Sequence, residues 1–223
     1  MSTKPSGVSI THSVYHHLRA ELLNGRLPPG EKLKLAELCA TLAVSLSAVR
    51  EALSRLTAEG LVIAEPQRGF RVAPIAVNEL LDITNARIAI ETLCLRRAIE
   101  VGDTEWEGQI LLALHRLNNT AKHVAESEQI TPGWAAAHAA FHLALVEACD
   151  SPWLLRIREM LYVQSERYRW FSVPPARGKR NLEKEHRRLA DVTITRDADT
   201  ACALITEHLK LTAEFSLKTG IRT

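Results

Sequence analysis

Between residues 13 and 74 the sequence lays down five short segments, each closed by its own stop signal, in an order that few folds accept. Val14, Leu18, Leu22 and Leu23 recur at helical spacing over 13–24, and Gly25 ends that run. Leu27-Pro28-Pro29-Gly30 then makes a turn. Leu35, Leu38, Cys39 and Leu42 share one face of a short helix over 34–42, and Ala43-Val44 forms a tight turn. Ser45 caps a third helix running to residue 55, because its hydroxyl can accept backbone N–H groups that have no partner inside the helix. Val49, Leu53 and Leu56 face inward, and Gly60 stops the helix. Two short strands, 61–64 and 70–72, flank Pro66-Gln67-Arg68-Gly69 as a hairpin tip. Helix, helix, turn, helix, hairpin is the order of a winged helix-turn-helix, which sets a first domain at 1–74.

Past a linker over 73–77 only helical periodicity remains. Six segments near 78–101, 103–126, 132–149, 152–172, 178–195 and 197–219 are punctuated by Gly102, Pro132, Pro152, Pro174-Pro175 and Asp197. Amphipathic helices with short connections make a bundle. The expected fold is therefore mainly α: an N-terminal winged helix-turn-helix followed by an all-helical bundle of about six helices over 75–223. No apolar run approaches the ~18 residues a membrane span needs, so no membrane contact is expected. The first ten residues are polar and lack the apolar core of a signal peptide. Cys39, Cys94, Cys149 and Cys202 form no CxxC pair and read as buried, reduced thiols of a cytoplasmic protein.

The net charge of +2 is unevenly spread. Residues 1–74 carry nine Lys/Arg against six Asp/Glu, whereas the rest is slightly acidic, so a polyanion would bind the first part. A helix-turn-helix presents the first turn of its second helix to major-groove base edges, which makes double-stranded operator DNA the expected partner. Ser45 and Ser47 can bond phosphates or bases, and Arg50, one turn on, can reach a guanine edge or a phosphate. Gly69 lets the hairpin backbone approach a minor groove, and Arg68 can insert there. A winged helix used only for protein contacts is the bland alternative. One such domain touches few base pairs, so a homodimer formed through the helical domain, reading two half-sites, is expected.

Residues 14–74 closely resemble the DNA-binding domain of the GntR family of bacterial repressors. The resemblance rests on Leu-Pro-Pro-Gly-Glu-Lys-Leu (27–33), Val-Ser (44–45), Val-Arg-Glu-Ala-Leu-Ser-Arg-Leu-Thr-Ala-Glu-Gly-Leu-Val (49–62) and Arg-Gly-Phe-Arg-Val (68–72). Two departures stand out. Leu46 and Ala36 occupy positions where the resemblance implies DNA-contacting arginines. Lys34, beside the start of the second helix, can supply part of the missing charge, or is simply a solvated lysine.

Among nine histidines, His12, His16, His17, His115 and His123 read as surface or dimer-face residues. His138 and His142 are spaced i, i+4 and point from one helix face, which suits two imidazoles on one metal. His186 and His208 lie on the fifth and sixth helices of the bundle, where inward side chains can converge. The competing reading is four core histidines. Residues 79–217 resemble the FCD-type effector domain found behind many GntR winged helices. Its carriers are 86–91 (Ala-Arg-Ile-Ala-Ile-Glu), 141–145 (Phe-His-Leu-Ala-Leu), 148–154 (Ala-Cys-Asp-Ser-Pro-Trp-Leu), 185–189 (Glu-His-Arg-Arg-Leu) and 207–209 (Glu-His-Leu). The resemblance implies a divalent metal held by one Asp and three His. The histidines fall on His142, His186 and His208, and His138 stands where the Asp belongs. An all-imidazole set favours Zn²⁺ or Ni²⁺ over Mg²⁺ or Ca²⁺. The resemblance further implies a small organic acid as effector, its carboxylate held beside the metal by an arginine. Arg87 is the candidate, unless it is a structural ion pair with Glu91 at i+4. Tyr162, Gln164, Tyr168 and Trp170 lie on a helix that could line the pocket.

The resulting expectation is a ligand-responsive DNA-binding regulator, a repressor, with no catalytic residues. The alternatives are a dedicated metal sensor, or a helical metalloenzyme fused to a winged helix. Against the enzyme, no HExxH arrangement or general base accompanies the histidines.

Overall fold

The computed structural model describes residues 9–124, 130–171 and 180–218; the side chains of Trp170, Phe171 and Lys218 lie outside that set. The described residues divide into two compact units, one of 9–76 with the short segment 166–171, the other of 77–124, 130–165 and 180–218.

In the first unit α1 (Ile10–Leu23), α2 (Leu35–Leu42) and α3 (Leu46–Ala58) pack beside a three-stranded sheet. The strands are β1 (Lys32–Leu33), β2 (Val62–Glu65) and β3 (Gly69–Val72), antiparallel in the order β1-β3-β2. The sequence pattern points to two strands; β1 is a third, its two residues too few to show a period. α1 packs on α3, and Val14, Leu18 and Leu22 of the one and Val49, Ala52, Leu53 and Leu56 of the other are buried, as are Leu33, Leu61 and Val72. Leu53 and Leu56 have no exposed surface, so truncating either to alanine costs about 2–5 kcal/mol. The α2–α3 turn passes through Ala43 at φ +52°, and Ser45 caps α3 by accepting from the Ala48 N–H at 3.3 Å. At the hairpin tip Gly69 sits at φ +94°, in the region that disfavours a side chain.

The second unit is helical: α4 (Val77–Val101), α5 (Thr104–Asn118), α6 (Pro132–Ala144), α7 (Pro152–Phe171, whose last turn falls in the first unit), α8 (Leu182–Ile194) and α9 (Ala198–Lys218). Leu95, Ile110, Phe141, Leu189 and Ile205, one from each of five helices, are almost fully buried in a shared core. Side-chain caps start the helices: Asp103 to the Trp106 N–H, Thr131 to Trp134 with Pro132 in the first turn, and Asn181 to Lys184. Gly102 is required where it stands, because a Cβ there would lie 2.2 Å from the Trp106 ring.

Two helices stop earlier than their periodicity predicts. α5 ends at Asn118, not 126, because Asn119 and Thr120 side chains take the carbonyls of His115 and Arg116 (2.8 and 2.7 Å). Residues 125–126 of that expected helix, and Pro174-Pro175 with the expected start at 178, lie outside the described residues. α6 ends at Ala144, not 149, where the Trp106 indole N–H donates to the Ala144 carbonyl at 2.7 Å and the chain tightens into turns. All four cysteines are free, but only Cys94 and Cys149 are buried; Cys39 and Cys202 are half-exposed, which corrects the expectation of four buried thiols. Burial, with Cys149 alongside, pushes the Cys94 thiol up to about 12. No described helix is long and apolar enough to cross a membrane.

Candidate metal centre and nucleic-acid interface

Four imidazoles converge in the helical unit. His138 and His142 come from adjacent turns of α6, His186 from α8 and His208 from α9, and all four are buried. One ring nitrogen from each lies within 4.8 Å of the others, and the Nε2 atoms of His138 and His142 are 3.2 Å apart. Trp134 stacks on His138 at 4.8 Å between centroids, and Phe141 packs against His142 and His186. Aromatic rings thus wall the cluster on these sides. His12, His16, His17, His115 and His123 are exposed.

Burial disfavours the charged form of two of the four, His142 and His208. Burial, then the neighbouring His208 and His186, then the charges of Arg87 and Arg158, hold His142 well below the ordinary imidazole range. Its Nδ1 is buried with no hydrogen-bond partner. Burial also lowers His208, opposed by its bond to Glu185. Neutral imidazoles with free lone pairs are the state a metal requires. The four imidazoles packed this closely, one with an orphaned nitrogen, fit a metal ion.

A carboxylate behind His208 fixes its tautomer. His208 Nδ1 lies 3.0 Å from Glu185 Oε2, and Arg180 clamps the same carboxylate with contacts of 2.7–3.1 Å. Arg180 also reaches His208 Nδ1 (3.2 Å) and the His208 carbonyl (3.1 Å). Carboxylate oxygens only accept, so Nδ1 carries the proton and donates it to Glu185, the nearby Arg180 N–H does not bond Nδ1, and the Nε2 lone pair is left for the cluster. Burial alone would raise Glu185; the bonds from His208 and Arg180 overcome it and bring the carboxyl down to about 2.

Arg87 lies on α4 and is 6% exposed. Its Nη1 donates to Ser165 Oγ at 2.7 Å, it stands 4.8 Å from the Tyr162 ring centroid, and its Nε has no hydrogen-bond partner. The ion pair with Glu91 exists but is loose, at 3.7 Å. Glu91 is held instead by Arg158 of α7, through three contacts of 3.0–3.2 Å with both residues 1% exposed. Arg87 thus keeps donor capacity, near enough to the histidines for its charge to bear on His142 and His208. Sequence reasoning missed Arg158, Ser165, Glu185 and Arg180, since each acts across 23 or more residues. Tyr162 joins Arg87 and Arg158, whereas Tyr168 belongs to the other unit. A surface groove of about 840 Å³ between α4 and α9, lined by Thr92, Arg96, Cys202 and Thr206 among others, does not include the histidines.

In the first unit Leu46, Ser47, Arg50, Glu51 and Ser54 are exposed along α3. Ser45 is spent partly as the cap and shares a 2.9 Å hydrogen bond with the Ser47 hydroxyl. Lys34 pairs with Glu37 at 2.8 Å, both side chains about two-thirds exposed. Such exposed pairs are worth only about 0–1 kcal/mol, so a phosphate can compete for the lysine. Arg68 is exposed beside Gly69 at the hairpin tip, while Arg71 is engaged with Glu65 and the Gly30 carbonyl.

Residues 10–72 match the family model of the bacterial regulatory proteins, gntR family, and residues 82–211 match that of the FCD domain. The chain is 36% identical to an uncharacterized HTH-type transcriptional regulator, BphR, of Paraburkholderia xenovorans, over 91% of this chain and 83% of that protein. It is 35% identical to the HTH-type transcriptional repressor GlaR of Escherichia coli, over 87% of this chain and 90% of the repressor. In fold it is similar to E. coli McbR/YncC, with a TM-score of 0.77 and 21% identity over 95% of this chain and 99% of that one. With the winged helix-turn-helix at one end and the effector-type helical domain behind it, the chain belongs to the GntR family of DNA-binding transcription regulators, in the branch that carries an FCD domain.

Proposed function

We propose that the protein is a homodimeric cytoplasmic repressor whose operator affinity is set by a small organic acid bound beside a divalent metal, zinc or nickel, on His138, His142, His186 and His208. Residues 1–74 do the DNA binding and residues 75–223 the sensing and dimerisation. The observation that carries the reading is the cluster of four buried imidazoles, with a buried arginine whose charge bears on His142 and His208 and whose Nε makes no hydrogen bond. When bound, the metal supplies a Lewis-acidic position that an anionic oxygen can fill. Arg87 then pairs with the acid's carboxylate through Nε, which makes no hydrogen bond, with Tyr162 and Ser165 fixing the guanidinium. Glu91 is held chiefly by Arg158, and its loose 3.7 Å ion pair with Arg87 gives way to the acid. On DNA, Arg50 reads a base edge, Ser45, Ser47 and Lys34 position the backbone, and Arg68 with Gly69 enters the minor groove.

The deciding experiment begins with elemental analysis of protein purified without chelator or affinity tag, where about one metal per chain is expected. Operator affinity is then measured with metal alone and with metal plus a panel of mono- and dicarboxylic acids. A response to an acid supports the reading. A response to metal alone makes the protein a metal sensor. No metal, and no shift in melting temperature on adding Zn²⁺ or Ni²⁺, returns the four histidines to the core. A sizing measurement giving a strict monomer with and without DNA removes the dimer.

A further inference from the structure

Leu46 is the first residue of α3, the second helix of the helix-turn-helix, and it is 51% exposed. The other large apolar residues of that helix, Val49, Leu53 and Leu56, have no exposed surface at all. Single exposed leucines are ordinary on protein surfaces, so exposure alone says little. The position is what matters. The N-terminal turn of this helix is the part that meets base edges in the major groove. Leu46 lies one turn before Arg50 on the same exposed face, among polar Ser47, Glu51 and Ser54. The Ser45 cap and its bond to Ser47 tie down the turn from which the leucine projects.

A leucine side chain has no hydrogen-bonding atom and cannot read guanine, cytosine or adenine by donors and acceptors. In the major groove its one specific apolar partner is the C5-methyl group of thymine. We propose that Leu46 is a specificity-determining residue that reads a thymine methyl in each half-site. The thymine lies within about two base pairs of the one read by Arg50, since four helical residues rise about 6 Å and base pairs stack at 3.4 Å. This rests on the DNA-binding reading of α3.

The test uses a duplex selected by the wild-type protein from random-sequence DNA. Each thymine is replaced in turn by deoxyuridine, which removes only the methyl. At one position per half-site the wild type is expected to lose about four-fold in affinity, the equivalent of one buried carbon. Leu46→Ala keeps the cap and the helix and is expected to bind the thymine and uracil duplexes equally. Leu46→Arg is expected to select a different base there. Indifference of the wild type to every methyl, with selection intact, overturns the Leu46 assignment alone. So does a Leu46→Ala protein that keeps the wild-type sensitivity. Failure of the wild type to enrich any sequence overturns the reading of α3 itself and Leu46 with it.

Discussion

Replacing Arg158 by methionine removes the partner of a carboxylate that has almost no contact with water. Glu91 and Arg158 are each 1% exposed and joined by three contacts of 3.0–3.2 Å. Breaking a buried pair from one side costs about 3–5 kcal/mol, mostly because the remaining charge is stranded. Arg87 Nε stands 3.7 Å from Glu91 and can turn to it, which places the cost near the lower end, about 3 kcal/mol. At roughly 2–4 °C per kcal/mol for a chain of this length, the melting transition of the helical unit falls by about 6–12 °C. The same rearrangement draws Arg87 away from an incoming acid, so effector affinity falls with stability. Urea and thermal melts of Arg158→Met and of the double variant Glu91→Leu/Arg158→Met measure it. The double variant is expected to recover most of the loss, because a hydrophobic replacement of similar volume leaves no charge behind. A single-variant loss below about 1 kcal/mol, or a double variant worse than the single, refutes the argument that an unpaired carboxylate sets the cost.

Glu185→Gln is expected to weaken metal binding by about 10–100-fold, since the amide no longer fixes the His208 tautomer; competition with a chromogenic chelator reads this, and unchanged affinity argues against the assignment. Arg50→Ala is expected to cost about 1–3 kcal/mol of operator affinity at fixed salt, and wild-type binding would mean that another face of α3 meets the DNA. His142 and His208 have folded-state pKa values below the unfolded one, so their neutral forms favour folding above about pH 6.5 and that contribution is lost as the pH falls. Metal-free protein should therefore melt at lower temperature at pH 5.5 than at pH 7.5, with the difference reduced in His142→Phe; a melting temperature that rises on acidification contradicts the buried neutral cluster.

Local free energies are written in short-range pattern, and those features were legible in the residues. The order of helices and hairpin over the first unit, the Ser45 cap and the inward face of α3 follow from periodicity and turn chemistry. So does the shared face of His138 and His142, four residues apart on one helix. The four histidines stand out by spacing and helix placement, resemblance to a family pattern strengthens the metal reading and supplies the effector domain, and the structure supplies the convergence. Other features turn on how packed helices are rotated about their axes, which no local spacing encodes. Glu91 bonds Arg158, 67 residues away, more tightly than it bonds Arg87 one turn before it. Glu185 reaches His208 across 23 residues, and the Trp106 indole ends α6 from 38 residues upstream. Burial likewise bears on charge: the sequence by itself determined which side chains could bind a metal, and only the tertiary structure, by burying His142 and His208, favoured the neutral form in which they can do so.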